Sequence, residues 1–259
     1  DQKIFKASDK ACAILPELNP TAYKEATIRD LLDMRTGVTF IEDYLATSGL
    51  MIDYRKATNW NPLENNESSS DLRSFYRLLD KKSHPDGKQF NYVSPNSDLL
   101  GWIIERSTGE RFSDLLSDLF WKPLGATMPS YITVDRLGAP RVAGGLCTTA
   151  IDLALVGQLF LDYGFTNGRQ ILPKNWLQDI QENGSRGAWL EGNFAEYFPN
   201  RDMHYRSKWY VDHGSNDSKA ELVFGLGVHG QNLFINSKKR IVIAKFSSQA
   251  APLDPHIIP

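Results

Sequence analysis

The end of the chain most narrows its architecture. Two apolar runs, Val228 to Asn236 and Arg240 to Ser248, stand on either side of the short polar break Ser237-Lys238-Lys239. Runs of that length, joined by so short a turn, predict an antiparallel hairpin with apolar residues on both faces. The middle of the chain has a helical period instead. Leu99, Leu100, Ile103 and Ile104 form a stripe that breaks at Thr108-Gly109, and Phe112, Leu115, Leu116, Leu119 and Phe120 form the next, which ends at Pro123. Val142 to Leu146 is a small-residue turn; Thr148 or Thr149 then caps a helix through Ile151, Leu155, Leu159 and Gly164. Pro173 begins another that runs to about Asn183. Helices in the middle and strands at the end predict a mixed α/β (α+β) architecture.

The first part of the chain is less regular. Thr27 to Thr36 reads as a helix with Thr27 as N-cap and Gly37 as a left-handed cap past its end. Residues 38 to 90 read as a long irregular, substrate-facing stretch that holds Glu42-Asp43-Tyr44 and Asn59-Trp60-Asn61-Pro62, with Glu64 to Ser70 as its solvated part. Net charge is -2 and the basic residues are scattered, so no footprint for nucleic acid or anionic lipid is present. A small substrate of little charge fits better. Cys12 and Cys147 lie among small and apolar residues without metal or redox spacing, which predicts buried reduced thiols and no cofactor. No apolar run reaches the ~18 residues of a membrane span, and Asp1-Gln2-Lys3 carries no signal-peptide pattern. Compartment stays open between cytoplasm and periplasm.

Several short motifs have bland readings. Gly225-Leu226-Gly227-Val228-His229-Gly230 matches a dinucleotide fingerprint, but a strand follows it where a helix N-terminus is needed, so its glycines read as a sheet edge approached by backbone or ligand. The histidines, His84, His204, His213, His229 and His256, show no metal-ligand spacing, and the Gly-x-Ser-x-Gly nucleophile elbow is absent. Asn66, Asn183 and Asn216 each open a glycosylation-type triplet of the kind that arises by chance. Tyr92 stands two residues before Ser94 at a loop-to-helix junction, a setting for a phenol that moves protons. Taken alone, Tyr92 reads as a half-buried aromatic and His229 as an ordinary strand histidine.

Together with their surroundings these residues resemble the penicillin-recognising serine hydrolases: class C β-lactamases, D,D-peptidases and their esterase and amidase relatives. Five blocks in the family's order carry the resemblance: Leu31 to Gly37, Tyr92-Val93-Ser94 with Leu99-Leu100-Gly101, Trp121 to Gly125, Ala143 to Leu146, and Gly227 to Gln231. The Tyr-x-Ser and His-Gly forms look most like those of 6-aminohexanoate-dimer hydrolases and related carboxylesterases. The resemblance implies a β-lactamase/transpeptidase-like fold, an antiparallel sheet flanked by helices with an inserted, mostly helical lobe. It implies one catalytic domain over 1–259, with a helical and loop lobe at about 21–135 and a sheet-containing lobe at 136–259. Tyr92 then resembles the proton-transfer tyrosine and Ser94 its hydrogen-bonding partner. His229-Gly230 resembles the third motif on a sheet-edge strand, Gln231 a backbone donor to the oxyanion, and Tyr44 and Asn96 substrate contacts.

One part of the family pattern is missing. The nucleophile and its base come from Ser-x-x-Lys on one helical turn, and no serine here has lysine three residues later. The resemblance places that motif upstream of Asp1 and a closing helix after the last strand, so a chain cut at both ends is expected. The implied activity is cleavage of small esters or amides through an acyl-serine. A catalytically inactive module of the same fold is the alternative from another class. A true β-lactamase or D,D-peptidase is the third, weakened because Val228-His229-Gly230 replaces Lys-Thr-Gly.

Overall fold

The structure, a computed structural model, describes residues 4–67, 70–214 and 220–252. The chain divides into two compact units. One is helical and takes in residues 2–113 and 131–147, while the other carries the sheet and takes in 114–130 and 148–259.

The helical unit contains α1 (Ala11–Ile14), α2 (Ile28–Leu32), α3 (Leu50–Ala57), α4 (Leu72–Phe75) and α5 (Pro95–Thr108), with a small antiparallel ladder of β1 (Tyr131–Ile132) and β2 (Leu146–Cys147). Thr27 starts α2 through a capping box: its hydroxyl accepts the Asp30 N–H and the Asp30 carboxylate accepts the Thr27 N–H. The helix is shorter than the sequence predicts, because Met34 already lies at φ 52. Gly37 is not its cap. A Cβ on Gly37 would lie 1.7 Å from the His84 carbonyl oxygen, so glycine is needed there for close backbone approach.

Residues 38 to 90 are more ordered than the irregular stretch expected from their polarity. Met51, Tyr54 and Ala57 give α3 a buried stripe at helical spacing. Tyr54 meets Phe75 with ring centroids 5.4 Å apart, and Phe75 meets Tyr76 at 6.3 Å. Pro95 opens α5 and left-handed Gly109 closes it, as its sequence signals require, and Leu99, Trp102 and Ile103 join Tyr54 and Phe75 in the core.

Toward the sheet unit the chain runs through α6 (Phe112–Leu116), a π-helical turn at Ser117–Trp121 and α7 (Lys122–Leu124). Pro123 sits in the first turn of α7, where its missing N–H costs little, and Gly125 at φ 79 ends the run instead. Thr149 caps α8 (Ala150–Leu161) by accepting the Asp152 N–H. A ladder of β3 (Phe165–Thr166) and β4 (Arg169–Gln170) follows, then α9 (Lys174–Glu182) and α10 (Arg186–Leu190).

The sheet is β5 (Met203–Arg206), β6 (Trp209–Asp212), β7 (Leu222–Gly227), β8 (Gln231–Asn236) and β9 (Ile241–Lys245), antiparallel and in sequence order. Its register sets Tyr210, Phe224, Phe234 and Ile243 in one cross-strand row and Val211, Val223, Ile235 and Val242 in the other. The aromatic row packs against Trp189 and Phe198, and the aliphatic row against Phe160, Leu177 and Ile180 from α8 and α9. Alternation along each strand thus gives both faces a core, and each large buried side chain contributes ~1.5–3 kcal/mol.

The predicted hairpin is present as β8–β9, but β8 starts at Gln231 and three further strands precede it. Its glycine-rich lead-in therefore lies at the β7–β8 turn inside the sheet, not at an edge; β5 and β9 are the outer strands. Both cysteines are free, but Cys147 is exposed and Cys12 only partly buried, against the expectation of two buried thiols. Among the described residues no helix is long and apolar enough to cross a membrane, and no group of three or more His, Cys, Asp or Glu could hold a metal. Of the glycosylation-type triplets, Asn183-Gly184-Ser185 ends in the cap of α10. Asn66-Glu67-Ser68 ends on, and Asn216-Asp217-Ser218 falls wholly on, positions outside the described residues.

Candidate active site

In the helical unit Tyr92 and Ser94 form one centre with two residues from the preceding loop, Glu42 and Tyr44. Ser94 stands at the N-cap of α5, where a hydroxyl ordinarily accepts a backbone N–H, yet its side chain makes no cap bond. Its hydroxyl instead donates to Glu42 Oε1 at 2.5 Å, and its backbone N–H donates to Glu42 Oε2 at 2.9 Å. The Tyr44 phenol feels both Glu42 and Ser94 electrostatically. A polar cluster thus takes the place of a helix cap.

Electrostatics set the state of the phenols. Burial first, then the charges of Glu42 and Asp98, hold the Tyr92 hydroxyl well above the ordinary tyrosine value, so it stays protonated at neutral pH. Burial and Glu42 raise Tyr44 in the same way. Glu42 itself is raised by burial, against hydrogen bonds from Ser94, the Tyr44 phenol and the attraction of Arg141.

Behind this cluster, Asp98 on α5 accepts the Tyr54 hydroxyl at 2.5 Å and the Ala143 N–H at 2.8 Å. Burial still pushes its carboxyl up to about 6, with those bonds and Arg141 acting the other way. Arg141 is 6% exposed and its guanidinium lies 3.7 Å from the centroid of the Trp60 ring. Trp60, on the predicted substrate-facing stretch, serves as an aromatic face for a buried cation.

Asn96 does not face a substrate. It has 0% exposure; its amide oxygen accepts from the Tyr23 hydroxyl at 2.9 Å and its amide nitrogen donates to Thr36 at 3.0 Å. The first turn of α5 points inward there, and Asn96 is a packing group that ties α5 to the segment after α2. Tyr44 is half-buried with its hydroxyl in the cluster, and Glu42, Asp98 and Arg141 are the members that sequence reading missed. Glu42 lies 52 residues from Ser94, and nothing local marks the pairing.

In the sheet unit His229 and Gly230 are not on a strand. They belong to the turn Val228–Gly230 between β7 and β8, with His229 at φ 59 and Gly230 at φ 85. A histidine tolerates the left-handed region better than most residues, and two bonds hold it: its N–H donates to the Pro252 carbonyl at 2.8 Å, and Nδ1 lies 3.0 Å from the Gln249 carbonyl. That contact makes Nδ1 the protonated nitrogen and leaves Nε2 as an acceptor. Gln231 opens β8, and its side chain donates to the Ser247 carbonyl at 2.5 Å and accepts the Ser247 N–H at 3.2 Å. A side chain thus extends the β8–β9 ladder by one rung and braces the turn.

The known proteins that this chain is similar to include hydrolases. Over 243 residues the chain is 31% identical to 6-aminohexanoate-dimer hydrolase of Paenarthrobacter ureafaciens, a match that covers 93% of this chain and 59% of that protein. The chain thus spans about three-fifths of that relative's length. A Bacillus anthracis structure assigned as a 6-aminohexanoate-dimer hydrolase superposes with a TM-score of 0.83 at 26% identity, covering 98% of this chain and 64% of that one. EstCE1, a hydrolase with promiscuous acyltransferase activity, shares the fold at a TM-score of 0.68 and 16% identity, covering 96% of this chain and 74% of that one. With the beta-lactamase family model matching residues 1–258, the chain belongs to the beta-lactamase family.

Proposed function

We propose that the whole protein is a serine hydrolase that cleaves ester or amide bonds of small substrates through an acyl-serine. Its nucleophile is a Ser-x-x-Lys pair carried outside Asp1–Pro259, since no serine among these residues has lysine three places on. The serine oxygen attacks the carbonyl and its proton passes to the lysine amine. Tyr92 gives its phenolic proton to the departing nitrogen or oxygen and is refilled from the lysine. Water then attacks the acyl-serine and the same groups return the protons. Backbone N–H groups stabilise the oxyanion, and Gln231 is the donor proposed here.

The observation that carries this reading is the whole-chain family match, joined to the geometry around Tyr92, where the neighbouring Ser94 gives its hydroxyl and its N–H to Glu42. The 31% identical relative directs the first assay to the 6-aminohexanoate dimer, beside a simple nitrophenyl ester.

In the full-length protein Tyr92→Phe should lower turnover of both substrates by ~10²–10⁴-fold with an unchanged melting temperature. A fluorophosphonate should label the unmodified protein at a serine. Full turnover in Tyr92→Phe, or absence of both labelling and hydrolysis in the unmodified protein, refutes the reading and favours the inactive module.

A further inference from the structure

We infer that Glu42 is a positioning residue of this site: its carboxylate holds Ser94 and Tyr44, and through them the setting in which the Tyr92 phenol works. The inference rests on the hydrolase reading. Its ground is the convergence of donors on one carboxylate. The Ser94 N–H and the Ser94 hydroxyl both donate to Glu42, at 2.9 and 2.5 Å, and the Tyr44 phenol lies within the reach of its charge.

The loop is shaped to deliver the carboxylate. Ile41 and Leu45 are 78% and 74% exposed, whereas Glu42 and Tyr44 turn inward between them. A loop that leaves two aliphatic side chains in solvent while an acid and a phenol turn inward is organised around the polar pair. Only an ionised carboxylate suits both Ser94 donors. A protonated acid, or a glutamine amide, places a donor of its own among them. The titratable and charged groups acting on this cluster are Tyr44 from the loop itself, Tyr92 and Asp98 from the α5 segment, and Arg141 from the segment before β2.

Activity therefore acquires an acid limb. As pH falls, Glu42 takes up a proton above the ordinary glutamate value, because burial raises it, and Ser94 loses its charged acceptor. The test measures kcat and KM against pH in the full-length protein with the nitrophenyl ester. Glu42→Gln should lower kcat by ~10²-fold with little change in KM, and should abolish the acid limb of kcat/KM. Glu42→Asp, which keeps the charge, should retain the limb and recover part of kcat. Tyr44→Phe removes a group that favours the charged carboxylate and should move the limb to higher pH. Glu42→Gln with unaltered kcat and an unaltered limb overturns the inference; should that variant not fold, an unmoved limb in Tyr44→Phe does the same. If Tyr92→Phe is impaired while Glu42→Gln is not, only the role of Glu42 falls. If Tyr92→Phe retains full turnover, the hydrolase reading falls with it.

Discussion

His204 makes the stability of the sheet unit depend on pH, with a sign and size that its surroundings dictate. The ring has 0% exposure on β5. Nε2 lies 2.9 Å from the Ile180 carbonyl at the end of α9, and Nδ1 lies 3.0 Å from Nε2 of His213. Carbonyl acceptance fixes the proton on Nε2, so Nδ1 must accept from His213. A second proton on His204 would set donor against donor, without water and near the cations of Arg186 and Arg206. Burial foremost lowers its pKa from 6.5 to about 4. A depressed folded-state value means the folded chain binds the proton less readily than the unfolded one. The stabilisation is fully present above about 6.5 and is lost as pH falls through about 4. At ~1.4 kcal/mol per pH unit this gap corresponds to about 3 kcal/mol. The assay is urea unfolding followed by tryptophan fluorescence from pH 7.5 down to 4, with hydrogen exchange of β5 and β6 amides as the local readout. His204→Gln keeps the donation to Ile180 and cannot protonate, so its stability should fall less steeply than that of the unmodified protein between pH 6.5 and 4. Equal slopes in the two proteins would refute the argument, whatever their stabilities at pH 7.5.

Two further expectations concern packing and capping. Gly157 lets α8 rest on β9, and a Cβ there would lie 2.4 Å from Val242 Cγ1, so Gly157→Val should destabilise by ~1–3 kcal/mol in chemical denaturation despite removing a helical glycine. Thr149→Ala deletes the acceptor for the Asp152 N–H and should cost ~1 kcal/mol in the same measurement.

The elements legible in the sequence are those whose causes are local. Gly109 closes α5, Thr149 caps α8, and the polar break at Ser237 joins β8 to β9, because each acts on backbone within a few residues. The family, too, was readable from short blocks around Tyr92 and His229, and the whole-chain match bears it out. Failures follow one cause, competition between distant partners for a local signal. Pro123 reads as a stop until its place in the first turn of α7 is known. Gly37 reads as a helix cap but answers to the His84 carbonyl, and Asn96 reads as a site residue but spends its amide on Tyr23 and Thr36.

Residue order alone therefore determined the central helices α5, α8 and α9, the β8–β9 hairpin and the family to which the Tyr92 motif belongs. Tertiary structure decided the charges and the partners. It brought Glu42 to Ser94 across 52 residues, buried Asp98 until its carboxyl rose to about 6, and folded His229 into a turn instead of a strand. The physical reason is common to all three: hydrogen-bond satisfaction and desolvation are properties of an enclosed volume, and the walls of that volume come from parts of the chain far apart in sequence.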